Sequence, residues 1–272
     1  MDDPDLKLLV PIVLVLIAAG AGWYFRHDLL PKPEESAATV IESTPVESPV
    51  ESPADTGPRH LVVPYEPEET DPVDLVPLPA LDDSDGYFLA TIVGVFGTAI
   101  EPLLFKDAVI DRFVATIDNL PRDHVAEKIR PVGRLSETFS VDSTGNDGPV
   151  YLSSENYHRH DELIRQIASA EVDTIIDTYR RFYPLLQESY ERLGYPNAYF
   201  NDRVIEVIDH LLLTPDIDEP IRLVRPHVLY QYADPELEAL SSGQKLLLRM
   251  GNEHAAEAKR MLRELREQLA QQ

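Results

Sequence analysis

The chain has 272 residues, with 24 Lys plus Arg against 48 Asp plus Glu and a formal charge of −24. A polyanion repels phosphates and anionic headgroups, which excludes nucleic acid as an expected partner. There is no cysteine, so a disulfide framework is excluded while the compartment stays open.

Leu8 to Phe25 is one uncharged apolar run of eighteen residues. As a helix it would be roughly 27 Å long, close to a ~30 Å hydrocarbon core. Trp23 and Tyr24 sit at its end, where amphipathic rings prefer the headgroup level, with Arg26 and His27 as polar stops. Pro11 falls in the first turn, where the missing N–H has no intrahelical partner anyway. A cleaved signal peptide is the competing reading, because Ala19-Gly20-Ala21 resembles a cleavage site. The acidic leader Asp2, Asp3 and Asp5, and the apolar run continuing past that point, favour an uncleaved anchor over residues 1–27. Positive charge is nearly balanced across it, so orientation is read from architecture: a short N-terminus inside, and the C-terminal part exported from an inner membrane.

Residues 28–80 read as a disordered, acidic, proline-rich tether. Eleven prolines from Pro31 to Pro79 and many acidic residues leave too little apolar surface to offset ordering entropy. The repeat Pro45-Val46-Glu47-Ser48-Pro49-Val50-Glu51-Ser52-Pro53 marks low complexity. Such a tract spans roughly 150 Å extended or about 40 Å as a coil.

Residues 81–272 are long enough for one domain with its own core, and the spacing predicts a mainly α fold with at most a short β hairpin or strap. Leu89, Ile92, Val93 and Phe96 mark one helical run, and Phe105, Val109, Phe113 and Ile117 the next, stopped by Asn119-Leu120-Pro121. Pro131 to Ser154 reads as a loop rich in Ser, Thr, Gly and Asp. A long stripe from Asp161 through Val172, Ile176, Tyr179, Leu186 and Leu193 closes at Gly194, with Pro184 expected to kink or divide it. Val204 to Leu212 gives another helix. Ile221 to Tyr230 is strand-like, confined by Pro226 to an edge. Asp234-Pro235 opens a short helix and Ser241-Ser242-Gly243-Gln244 matches a capping box for the last one, which Gly251-Asn252 should break or bend.

A set of segments carries a resemblance. Leu78-Pro79-Ala80-Leu81-Asp82, Asp118-Asn119-Leu120-Pro121, Asn156-Tyr157, Tyr183 to Tyr190, Leu193-Gly194-Tyr195-Pro196, Phe200-Asn201-Asp202-Arg203 and Gly243 to Gly251 together resemble an uncharacterised bacterial membrane-anchored family, the domain of unknown function 3014, over Leu78 to Leu269. The resemblance implies a single-pass anchor, a variable spacer and a helical domain in Gram-negative envelopes. It implies no activity and no catalytic residues.

Several constellations have reactive residue types. Ser242-Gly243-Gln244-Lys245 fits S-x-x-K, but no K-T-G or S-D-N element accompanies it and the capping box accounts for the serines. Lys245 and Arg249 lie four apart and would hold a carboxylate or phosphate, unless Asp234, Glu236 or Glu238 neutralises them. His158, His160, Asp161 and Glu162 have ligand chemistry, yet helical positions two apart diverge, and Asp142, Asn146 and Asp147 lack the order of a calcium loop. No metal and no cofactor is expected. The turn from Tyr195 to Asp202, with Asn197 and Asn201, is the most site-like stretch, because Tyr rings beside amides and carboxylates suit sugar or peptide binding. The candidate binding residues are therefore Tyr195, Asn197, Asn201, Asp202, Lys245 and Arg249, with no catalytic set. The expected function is a membrane-tethered envelope protein that binds or scaffolds a protein or cell-wall partner. The alternative is an envelope hydrolase or transferase acting on cell-wall material.

Overall fold

A computed structural model describes residues 57–63, 65, 77–133, 139–143, 148–158, 161, 164–165, 170–217, 220–226 and 229–271. The apolar run Leu8–Phe25 lies outside them, and among the described residues no helix is long and apolar enough to cross a membrane.

The main core is helical. Helix α1 (Asp85–Phe96) ends where Gly97 takes φ 85° and returns its N–H to the Val93 carbonyl. Helix α2 (Val109–Asn119) begins without a local side-chain cap. Asp85 supplies it from a distance, accepting the Ala108 and Val109 N–H groups at 2.8 Å each. A short helix, α3 (Glu155–His158), precedes the long α4 (Val172–Arg192). The expected stripe from Asp161 onward is thus interrupted, with Glu171 in an extended conformation directly before α4. Pro184, by contrast, does not divide α4, because Phe182, Leu185 and Leu186 on either side are buried in the core and hold the helix across it.

Helix α5 (Phe200–Leu212) is the axis of the domain. Phe200, Val207, Ile208 and Leu211 are fully buried, and α5 packs against α2, α4 and the C-terminal helix. After α6 (Pro235–Glu238) the chain forms α7 (Ser242–Arg249) and α8 (Gly251–Ala270), separated at Met250 by the positive φ of Gly251. The break expected at Gly251 is there. The capping box is there as well, with Ser241 Oγ accepting the Gln244 N–H and Gln244 Oε1 accepting the Ser241 N–H.

The β content exceeds one hairpin. Strands β1 (Val141–Ser143), β2 (Val150–Leu152), β3 (Arg222–Val224) and β4 (Gln231–Tyr232) form an antiparallel sheet in sequential order. Val141 faces Leu152, Val150 faces Leu223 and Leu223 faces Tyr232. The loop expected from Pro131 to Ser154 therefore holds two strands, and β3 is an interior strand rather than an edge. It escapes the restriction of Pro226 by ending at Val224. Leu152, Ile221, Leu223, Tyr232, Leu237 and Leu248 make a small second core beneath the sheet.

Two pieces of the stretch read as tether have defined places. Leu78 packs against the helical core, and Gly57–Val63 lies on the first turn of α5.

Candidate functional site at the first turn of α5

The N-terminus of α5 is built by α4. Gln187 Oε1 accepts the Phe200 N–H at 2.8 Å while Gln187 Nε2 donates to the Ala198 carbonyl, so a side chain of α4 caps α5 and closes the turn between them. Asp202 then falls in the first turn, where the positive end of the helix dipole favours a carboxylate.

Asn201 and Asp202 are buried, at 0% and 8% exposure. Tyr179 donates its hydroxyl to Asn201 Oδ1 at 3.1 Å, and Asn201 Nδ2 donates to the Leu269 carbonyl at 3.3 Å and the His60 carbonyl at 3.1 Å. The two oxygens of Asp202 accept the backbone N–H groups of Arg59 and His60, each at 2.9 Å. Arg59 also reaches Glu206, Nη2 to Oε1 at 2.5 Å, and this bond raises its pKa further. Bonds to a charged acceptor contribute about 1.5–3 kcal/mol each, twice the neutral kind.

The phenols around this point are held neutral. Burial pushes Tyr179 well above its ordinary value, with the charges of Tyr183 and Asp202 adding to it. Burial likewise raises Tyr183 and Tyr190 to about 12. Neutral hydroxyls donate hydrogen bonds and do not act as bases near pH 7.

The other candidates lie elsewhere. Tyr195 stacks on Tyr190 with ring centroids 4.7 Å apart, and its hydroxyl lies 3.3 Å from Asp118 Oδ2. Asn197 is exposed in the turn and takes no part in the Asn201–Asp202 arrangement. Lys245 and Arg249 sit on α7 beside the small sheet. Lys245 Nζ pairs with Glu238 Oε1 at 3.2 Å, and Arg249 bonds to the buried Tyr232 hydroxyl. The start of α7 meets the far end of α5, where Gln244 Nε2 donates to the His210 carbonyl, roughly 14 Å along the helix axis from Asn201. Six candidates thus divide among three places, and only Asn201 and Asp202 converge.

Sequence reasoning missed Glu206, Arg59 and His60, and gave Tyr179 to the apolar stripe alone although its hydroxyl bonds to Asn201. One signal was present: Arg59 and His60 stand beside Leu61-Val62-Val63 in a tract whose only other basic residue is Lys32.

The motifs with reactive residue types are occupied structurally. Ser242 Oγ donates to the Leu120 carbonyl at 3.2 Å, and Lys245 turns to Glu238 instead. His210 Nε2 meets Ser241 Oγ at 2.9 Å, but Ser241 is 5% exposed and spent on the capping box. Burial, with Arg203 adding to it, lowers the His210 pKa. His158 Nδ1 pairs with Asp161 at 3.2 Å, while His160, Glu162, Asn146 and Asp147 lie outside the described residues. No group of three potential metal ligands occurs among the described residues.

A cleft of about 400 Å³ opens beside the first half of α2, lined by Asp111, Arg112, Lys128, Ser189 and Arg192 among others. Its arginines are engaged, Arg112 with Asp107 at 2.6 Å and Arg192 with Asp82 and Glu188 at 2.7 and 2.6 Å. Ala108 at its rim is the one non-glycine residue with positive φ among the described residues.

These features define a mainly helical domain with a small antiparallel sheet and a polar first turn on its central helix. The chain belongs to the family described as protein of unknown function (DUF3014), whose model matches residues 109–266. No curated protein and no solved structure matches it.

Proposed function

We propose that the chain is a single-pass inner-membrane envelope protein whose helical domain, held in the periplasm by Leu8–Phe25 and the acidic linker, is a non-catalytic binding module for a protein or cell-wall partner. The observation supporting this reading is the first turn of α5, where an oriented amide and a carboxylate meet backbone groups of an extended segment. That geometry supports recognition of an extended backbone.

The hydrolase or transferase reading has one point of support, the 2.5 Å bond from Ser189 Oγ to Asp111 Oδ1 on the wall of the cleft. The surroundings work against it. Ser189 lies in the last turn of α4, whose free groups are carbonyls at the negative end of the helix dipole, the wrong sign for a developing oxyanion. At the nearby start of α2 the Ala108 and Val109 N–H groups are taken by Asp85. Among the described residues no histidine lines the cleft.

Alkaline phosphatase fused after Gln272 tests the placement. Activity in intact cells is the expected result, and an inactive fusion alongside a fluorescent cytoplasmic reporter would overturn it. Crosslinking from intact envelopes, followed by mass spectrometry, should recover a partner whose yield falls in a Glu206→Lys chain.

A further inference from the structure

The contact between Gly57–Val63 and α5 is made mostly through backbone. Arg59 N–H, His60 N–H and His60 C=O are each matched by a side-chain atom of Asp202 or Asn201, within 2.9 to 3.1 Å. From its side chains the segment adds Arg59, whose guanidinium lies against Glu206 with Nε 3.7 Å from Asp202. Leu61 and Val63 are 63% and 51% exposed and Pro58 and Val62 only half-buried, so none of the segment's apolar side chains is fully buried. A segment built in as core would bury them.

The receiving side is built without the segment. Asn201 is oriented by Tyr179 and Leu269, and the turn carrying it is closed by Gln187 from α4. Tyr179, Leu269 and Gln187 all belong to the helical domain, so the orientation of Asn201 does not depend on the segment, and the backbone groups of the segment occupy positions that water or an equivalent backbone would otherwise fill. Asn201, Asp202 and Glu206 fall inside the stretch matched by the family model, whereas residues 57–63 precede it.

We infer that the first turn of α5 is a binding site for an extended peptide bearing an arginine, and that residues 57–63 are its resident ligand, held in cis and displaceable. This rests on the binding-module reading and names the ligand class. Backbone pairing gives the site affinity for any extended chain, and the Glu206–Asp202 pair selects arginine, whose guanidinium matches two carboxylates. A short connection places the resident segment at an effective concentration on the order of millimolar, so an outside peptide must outcompete it.

The test uses the full chain in detergent and a fluorescent peptide copying residues 55–65. An Arg59→Glu, His60→Pro double variant removes the guanidinium and one of the two N–H donors in cis. It should bind the peptide at least tenfold more tightly than the unaltered chain. Adding Glu206→Lys, at a side chain 47% exposed that also meets Arg203 at 3.3 Å, should weaken that binding tenfold or more while the helical circular dichroism is retained. A peptide carrying the same two substitutions should not bind. The inference is overturned if the double variant loses its helical circular dichroism, because the segment is then part of the core. It is equally overturned if the folded double variant ignores the peptide up to millimolar, or if Glu206→Lys leaves binding unchanged. A chain that fails these tests but exports an active phosphatase fusion overturns this inference alone. One that binds the peptide without exporting the fusion overturns the envelope placement instead.

Discussion

Arg203 grips Asp118 twice, its Nε donating to the carboxylate at 2.9 Å and its Nη2 to the backbone carbonyl at 2.8 Å. The pair ties α5 to the end of α2, and Asp118 is 2% exposed. Breaking a buried pair from one side leaves an uncompensated charge, which costs about 3–5 kcal/mol in full burial. Arg122 and Tyr195 still reach Asp118, so the loss is smaller. Arg203→Met should destabilise by about 2–3 kcal/mol in urea unfolding, while Arg122→Met, at a side chain 56% exposed, should stay within about 1 kcal/mol.

Glycine substitutions should differ in sign. A Cβ at Gly243 would stand 2.6 Å from Leu211 Cδ2 and 3.2 Å from the Leu120 carbonyl. The Gly243 N–H donates to that same carbonyl at 3.0 Å, so the backbones cannot part without losing the bond. Gly243→Ala should cost about 1–3 kcal/mol. Gly251→Ala should cost more than that, since its φ is 78° and a Cβ would meet the Tyr157 ring at 2.7 Å. Gly94 lies within α1 with open space around it, and Gly94→Ala should stabilise by about 0.5–1 kcal/mol. Thermal unfolding of the three variants separates these outcomes.

His210 sets a pH dependence on the acid side. Its pKa is lowered in the folded state, by burial first and by Arg203 second. The unfolded chain therefore takes up the proton first as pH falls through about 6.5, and stability declines from there until the folded histidine is protonated too. His210→Gln should flatten the stability profile between about pH 7 and 5, as read by urea midpoints. An unchanged slope would contradict the shift.

The buried phenols act at the other extreme. Tyr183 and Tyr190 are raised to about 12 by burial, so the folded state holds protons that the unfolded chain releases near pH 10. Their contribution is complete below that pH and is lost as pH rises towards 12. Absorbance at 295 nm should show their ionisation displaced from about pH 10 towards 12 while the chain stays folded, and Tyr183→Phe should reduce the alkaline loss.

Ser242 should be chemically silent. Its hydroxyl is committed to Leu120 and Lys245 to Glu238, leaving neither a nucleophile nor a base. A fluorescent penicillin should not label the chain, and Ser242→Ala should cost only about 1 kcal/mol of stability. Covalent labelling at Ser242 would refute this assignment.

The long helices were legible in the sequence because each carries an apolar stripe several turns deep. Leu246, Leu247 and the capping box announced α7, and Val204 to Leu212 announced α5. The sheet was not legible. Its strands are two or three residues long, too short for an alternation to register, and they lie up to about ninety residues apart. Pro184 misled for the opposite reason, since a local breaker was overridden by packing on both flanks. Among the candidate site residues, Asn201 and Asp202 were visible as residue types, but Lys245 and Arg249 drew notice for a charge that Glu238 and Tyr232 account for at short range.

The amino-acid pattern alone determined which segments are apolar enough to form helices, where capping residues start them, and that residues 28–80 are dominated by acidic residues and proline. These are local properties, set by spacing and by the chemistry of neighbours in sequence. Tertiary structure alone decided that Asp85 caps a helix that starts 24 residues later, that Gln187 caps the next helix from the one before, and that Arg59 finds Asp202 at a separation of 143 residues. Buried donors and acceptors must be paired, but their partners are chosen by whichever groups the packed helices bring within reach, and that is a property of the fold.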